Sequence, residues 1–168
     1  LVERVSCIAA LAIEHAHMLE AVREGQERFR AAVQGSNEGI WDWNLVTNEA
    51  YFSPRWKAIL GYEDHEITHT YQEWESRLHP EDRARVLSRL SDYLEGRAAR
   101  YDVEFRLRKK DGVYCWINAC GIVIRDAADR PVRMAGSHTD ITERKREEAL
   151  QVAEKQTLEL VAKGTPLN

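Results

Sequence analysis

The sequence predicts an α+β domain, a five-stranded antiparallel sheet with short helices on one face, entered and left by long helices of coiled-coil type. Three observations carry that expectation. Strand alternation appears in five runs, two before and three after a helical stretch. Two helices between them open on proline, at Ser53-Pro54 and His79-Pro80. Apolar residues recur at heptad spacing at both ends of the chain.

Residues 1–33 read as one helix. Leu1, Val5, Ile8 and Ala12, then Leu19 and Val22, then Phe29 and Val33 follow alternating steps of four and three, with His15 and Gln26 in the two missing slots. Gly25 weakens it by about 1 kcal/mol relative to alanine. Ala9, Ile13 and Ala16 add a second ridge, so the first half is apolar on more than one side. Leu1, Val5, Ile8, Leu19, Val22 and Phe29 are the expected contacts of a homodimer.

From Gly35 the period changes. "GIWDWNL" sets Trp41, Trp43 and Leu45 on one face and Asp42 and Asn44 on the other. Asn48 suits a turn before a second short strand, because it tolerates the left-handed region. Ser53 caps a helix over "RWKAILG", with Gly61 past its end. A second helix starts at Pro80, where Glu81 and Asp82 complement the positive helix end. Its apolar stripe is Val86, Leu87, Leu90, Tyr93 and Leu94, and Gly96 ends it.

Three strands follow. In "YDVEFRLR", Tyr101, Val103, Phe105 and Leu107 point inward. Asp111-Gly112 marks a hairpin. "VYCWINACGIVIR" is apolar on both faces, which predicts a central strand. "VRMAGSHTD" is the last strand. A helix then runs over "ITERKREEALQVAEKQTLELVAKG", with Leu150, Ala153, Thr157 and Leu160 at heptad steps.

Composition narrows the function classes. A net charge of −4 gives no electrostatic reason for nucleic-acid binding. No apolar run approaches the roughly 18 residues of a membrane span, so direct membrane contact is not expected. Cys7, Cys115 and Cys120 are sparse and show no C-x-x-C spacing, which reads as reduced thiols in a cytoplasmic protein without a zinc site. No signal-peptide pattern is visible, and the chain opens at Leu1, as a fragment of a longer protein does.

No catalytic or metal-ligating set emerges. His79, Glu81 and Asp82 are near-consecutive positions at a helix start and do not converge on one substrate. In Ser137, His138 and Asp140 the serine points away from the other two on a strand, and it lacks an elbow turn. A hydrolytic enzyme is thus the remote alternative. Glu14-His15 lacks the polar, proline-ended context of a phospho-accepting histidine and reads as a polar interruption of the seam. Trp41, Trp43, Tyr101, Phe105 and Trp116 lie on strands of a helix-covered sheet. They either line a cavity for a small ligand or fill the core.

The segments "ERFRAAVQGSNEGIWDWNL", "YFSPRWKAILGYE", "RLHPEDRARV", "YDVEFRLRKKDGVYCWI" and "GSHTDITERKREEAL", in this order, resemble a PAS domain with its C-terminal PAC motif. The resemblance implies the same five-stranded fold and a sensory and dimerisation module that signals to attached output domains. The cysteine motif of photoactive flavin-binding relatives is absent, and the helix that carries haem-ligating histidines in other relatives has none here between Pro80 and Leu94. No cofactor is therefore expected. A small ligand is compatible, and a flavin- or haem-binding sensor is the alternative.

"LVERVSCIAALAIEHAHMLEAV" is similar to the last helix of a GAF domain, and "TLELVAKGTPLN" to the start of another. The resulting division is a signalling helix at 1–26, a PAS/PAC sensor at 27–147 and a linker helix at 148–168. The linker would lead to a further GAF-like domain, or to a histidine kinase or cyclic-di-GMP synthase or hydrolase. The junction Asp140, Ile141, Thr142 and Glu143 joins sheet to exit helix without a glycine, with Asp140 and Glu143 spaced as a capping box. By the resemblance, this is the signal-transmission element.

Overall fold

The computed structural model describes residues 17–28, 31, 35 and 38–162, and it places the five alternating runs in one antiparallel sheet. The strands are β1 (Gly39–Asn44), β2 (Ala50–Phe52), β3 (Tyr101–Arg108), β4 (Tyr114–Arg125) and β5 (Pro131–Asp140). Their order is β2-β1-β5-β4-β3. Two turns use non-glycine residues at positive φ, Asn48 at 63° and Asp129 at 60°. Both side chains are of the kind that tolerates that region. β1 stops at Asn44, so Leu45 opens the turn instead of extending the Trp41–Trp43 face.

β4 is an inner strand, as expected, paired with β3 on one side and β5 on the other, but it is not the middle one. The last strand, β5, takes the middle place and pairs with β1 on one side and β4 on the other. On β4 only Cys115, Ile117 and Ala119 are buried. Ile122 and Ile124 are exposed on the opposite face. Two-sided apolarity in β4 therefore does not mark a strand buried on both faces.

Residues 17–28 form helix α1, in a contact unit separate from residues 38–168. Leu19 and Val22 lie in it and are exposed. Leu1, Val5, Ile8 and Phe29 lie outside the described residues.

Within the second unit, α2 (Pro54–Ile59), a 3-10 turn (Asp64–Glu66), α3 (Tyr71–Glu75) and α4 (Pro80–Leu94) cover the inner face of the sheet. The Ser53 hydroxyl accepts from Trp56 N, the cap that the sequence announced. Lys57 is buried because its ammonium donates to the Asp64 carbonyl at 2.6 Å and pairs with the Asp64 carboxylate at 2.9 Å, which ties α2 to the 3-10 turn. α3 has no strong sequence signature, since Thr70 makes no side-chain cap, yet it delivers Tyr71 and Trp74 to the core.

At α4, His79 supplies the cap: its Nδ1 accepts from Glu81 N at 3.2 Å. Asp82 does more than complement the helix end. Its buried carboxylate accepts from Arg106 N at 3.0 Å and Nε at 2.9 Å, fastening α4 to β3. Hydrogen bonds from the Arg106 guanidinium hold that carboxyl below its ordinary pKa. The exit helix α5 (Thr142–Ala162) follows β5 after Ile141 alone. Among the described residues no helix is long and apolar enough to cross a membrane.

Candidate functional site

The inner face of the sheet carries one row that sets the site. Trp41 of β1 pairs with Gly136 of β5, which pairs with Gly121 of β4. The missing side chains leave a trough, and the Trp41 ring lies in it. A Cβ at Gly121 would stand 2.7 Å from Trp41 Cη2, and one at Gly136 would stand 2.6 Å from Cζ2. Glycine is required here by close approach of a ring and not by backbone angle.

Beside this indole is a cavity of about 40 Å³ between sheet and helices. Trp41, Trp43 and Met134 line it from the central strands, Phe52 and Tyr101 from the outer ones, and Tyr71, Trp74 and Leu90 from the helices. Trp43 stacks on Tyr71 at 4.4 Å and donates its indole N–H to Asn48 Oδ1 at 2.9 Å. His138 completes the wall from the end of β5. Its Nδ1 accepts the Trp56 indole N–H at 2.8 Å, which puts the ring proton on Nε2. Complete burial pushes the His138 pKa down to about 3, so the ring is neutral. By contrast, the indole nitrogens of Trp41 and Trp74 are buried with no hydrogen-bond partner among the described residues.

Of the five aromatic candidates from the sequence, Trp41, Trp43 and Tyr101 line the cavity. Phe105 does not; it is fully buried beneath it, edge-on to His138 at 5.6 Å. Trp116 belongs to the opposite face. Cys115 and Ile117 point inward, and period-two alternation turns the residue between them outward. Phe52, Tyr71, Trp74, Met134 and His138 were missed. His138 shares strand parity with Met134 and Gly136, and that was the available signal.

Trp116 instead organises the junction. Arg106 lies over its ring at 5.3 Å and Lys145 of α5 at 5.4 Å. Lys145 and Arg144 pair with Glu104 of β3 at 2.6 and 2.5 Å, and those contacts hold the Glu104 carboxyl below its ordinary pKa. The backbone closes the same corner. Ile141 N donates to Trp116 O at 2.9 Å, and Trp116 N donates to Thr142 Oγ1 at 3.0 Å. Asp140 Oδ1 accepts from Thr142 N at 2.9 Å and from the Thr142 hydroxyl at 2.5 Å. The expected capping box is not formed: α5 starts at Thr142 and the Ile141 carbonyl accepts its first intrahelical bond, so Asp140 stands one place before the cap, and Glu143 pairs with Arg146 at 2.5 Å. Asp140 still satisfies the first helical N–H.

Neither a flavin nor a haem fits the cavity. Its volume admits about three water-sized groups, at roughly 10–15 Å³ each. Cys115 points into the core but does not line the cavity, and burial pushes its thiol up to about 11. His138 Nδ1 is already committed to Trp56. Among the described residues no group of three or more His, Cys, Asp or Glu could hold a metal ion.

Comparison with known proteins places this architecture. The family model described as the PAS fold matches residues 49–138. Sensor protein FixL of Bradyrhizobium diazoefficiens is 34% identical over 122 residues, covering 73% of this chain and 24% of FixL. The probable diguanylate cyclase DgcE of Escherichia coli is 28% identical over 134 residues, covering 80% of this chain and 12% of DgcE. The chain thus spans a quarter or less of these two relatives. Among solved structures, a sensory box histidine kinase/response regulator from Burkholderia thailandensis aligns with a TM-score of 0.68 at 45% identity, covering 79% of this chain and 99% of that one.

Proposed function

The chain belongs to the PAS-fold family, and from that premise we propose that it is the sensory and dimerisation module of a multidomain bacterial signalling protein. A change in the cavity, or strain from the entering helix, moves the central strand β5. Its continuation through Asp140, Ile141 and Thr142 carries the change into α5 and on to an output domain. The relatives include a histidine kinase/response regulator and a probable diguanylate cyclase, so a kinase or a cyclic-di-GMP enzyme is the output expected. The PAC assignment of the C-terminal strands, GAF-like flanks and a cytoplasmic location complete the reading.

The observation that carries it is the junction. One residue separates the middle strand of the sheet from α5, and Trp116, Glu104 and Asp140 fix the first turn of that helix from three sides. A displacement of β5 has no flexible segment in which to dissipate. Asp140→Ala and Thr142→Val should each change the output of the parent protein severalfold, read as autophosphorylation or cyclic-di-GMP turnover. Each should lower domain stability by only about 1 kcal/mol, the usual scale of a lost cap or hydrogen bond. Output indistinguishable from the parent in both variants sinks the relay.

For the dimer, exposed Leu19 and Val22 on α1 support pairing through the entering helix, and exposed Leu150 and Leu158 on α5 support a contribution from the exit helix. Deleting residues 1–26 should shift sedimentation from dimer toward monomer. A dimer undiminished by that deletion counts against the entering helix.

A further inference from the structure

We propose that the cavity takes a short hydrocarbon of about three non-hydrogen atoms and discriminates against polar molecules of the same size. The proposal rests on the sensory reading for its use and on the cavity wall alone for its chemistry. Almost all of the wall that faces the cavity is carbon. Ala50, Leu90 and Met134 supply aliphatic groups, and aromatic rings supply most of the rest. The polar groups of the lining residues are engaged elsewhere. The Asp42 carboxylate belongs to the opposite face of the sheet, where Arg133 holds it at 2.7 to 3.0 Å. His138 Nδ1 accepts the Trp56 indole, and the Trp43 indole donates to Asn48. Burial raises the pKa of the Tyr71 and Tyr101 phenols, as it does for hydroxyls kept from water.

Such a wall selects its occupant. A water held in a protein needs about two to four polar partners, and this wall presents next to none. No Lys or Arg among the described residues lines the cavity, and His138 stays neutral, so an anion would lack a counter-charge. An alcohol or amide would give up its hydrogen bonds to water without replacing them. A hydrocarbon has none to give up and gains by leaving water. The volume of about 40 Å³ limits it to about three carbons. There it touches Met134 on β5 and Leu90 on α4, so occupancy bears on the strand that leads into the exit helix.

The test uses the unmodified chain with methyl-labelled methionine. The chain has two methionines: Met134 in the cavity wall, and Met18, which is exposed on α1 and serves as the internal control. Propane is the probe, delivered under pressure. Ethanol, its isostere with a hydroxyl in place of one methyl, is the comparison. Propane should move the Met134 methyl signal saturably, with half-saturation at roughly 1–10 mM dissolved gas, a range set by so few ligand atoms. Ethanol should need at least about tenfold more, because its hydroxyl goes unpaired. Ala50→Val adds two methyl groups at the wall and should weaken the propane response at least about fivefold. A Met134 shift that never saturates, equal binding of the two probes, equal movement of Met18 or an undiminished response in Ala50→Val overturns the proposal. So does a bound-water cross-peak at the Met134 methyl that propane leaves unchanged, which assigns the cavity to water only. Absence of saturation together with an intact Asp140→Ala effect defeats the site and spares the relay. Saturable binding without any change in parent output supports the site and defeats its sensory use.

Discussion

Gly136→Ala should destabilise the domain by about 3 kcal/mol or more, at the upper end of what overpacking costs. The added Cβ would stand 2.0 Å from the Cys120 carbonyl oxygen, 2.6 Å from Trp41 Cζ2 and 2.7 Å from Gly121 Cα. Two of those three atoms are backbone, so no rotamer change relieves the clash. β4 and β5 must separate at the centre of the sheet. Gly121→Ala behaves differently. Its two closest neighbours, at 2.7 and 2.8 Å, are Trp41 ring atoms, and the nearest backbone atom, Ala135 O, is at 3.2 Å. In a Trp41→Phe background, the smaller ring should relieve most of the Gly121→Ala cost and little of the Gly136→Ala cost. Urea unfolding of the single and double variants measures this non-additivity. A Gly136→Ala midpoint equal to that of the parent would show that the trough is wrongly placed.

That trough also shows what the sequence made legible. Glycines in the middle of "ACGIV" and "MAGSH" signal a close approach, but what approaches is set by pairing between distant strands. The five strands were readable because alternation is local and has a period of two. Strand order was not: β4 is an inner strand, as its apolarity suggested, but the middle place falls to β5. Trp41, Trp43 and Tyr101 were readable as cavity residues by parity, and the same rule applied to "YCWIN" would have turned Trp116 outward. The five-residue helix α3 escaped notice, and Trp74 with it, because so short a helix lacks both period and cap. The Glu143 box failed for a reason of register: the helix starts one residue late, with Ile141 at its cap, which leaves Glu143 at the second helical position. The unmatched indole donors have no sequence signature, since they depend on every neighbour at once.

The outward turn of Trp116 has a consequence for coupling. Asp82 on α4 grips Arg106, Arg106 lies over Trp116, and Trp116 shares its ring with Lys145 of α5. The helix that covers the cavity through Leu90 is therefore joined to the exit helix by a second path, independent of β5. A contiguous set of contacts is a route for coupling only where it has two arrangements. Arg106→Met removes the middle link and leaves the Asp140 corner in place, so it separates the two paths.

Stability should fall as pH drops from 7 to 5, and His138 should account for about 2 kcal/mol of that loss. The ring is 4% exposed and accepts from Trp56, and burial lowers its pKa from 6.5 to about 3. In the unfolded chain the ring takes up a proton below about pH 6.5. In the folded chain it stays neutral down to about pH 3. Between those values the unfolded state binds the extra proton, so the slope is close to 1.4 kcal/mol per pH unit, with stability lost as pH falls. The lowered carboxyls of Asp82 and Glu104 act in the same direction, but only below the ordinary carboxylate range near pH 4. The window from pH 6.5 to 5 thus isolates the histidine from these carboxyls. His138→Gln retains an acceptor for the Trp56 indole and removes the titration. Urea unfolding of that variant should give a pH profile flatter by about 2 kcal/mol between pH 7 and 5. A variant profile parallel to that of the parent would mean that His138 is charged or solvated in the folded chain.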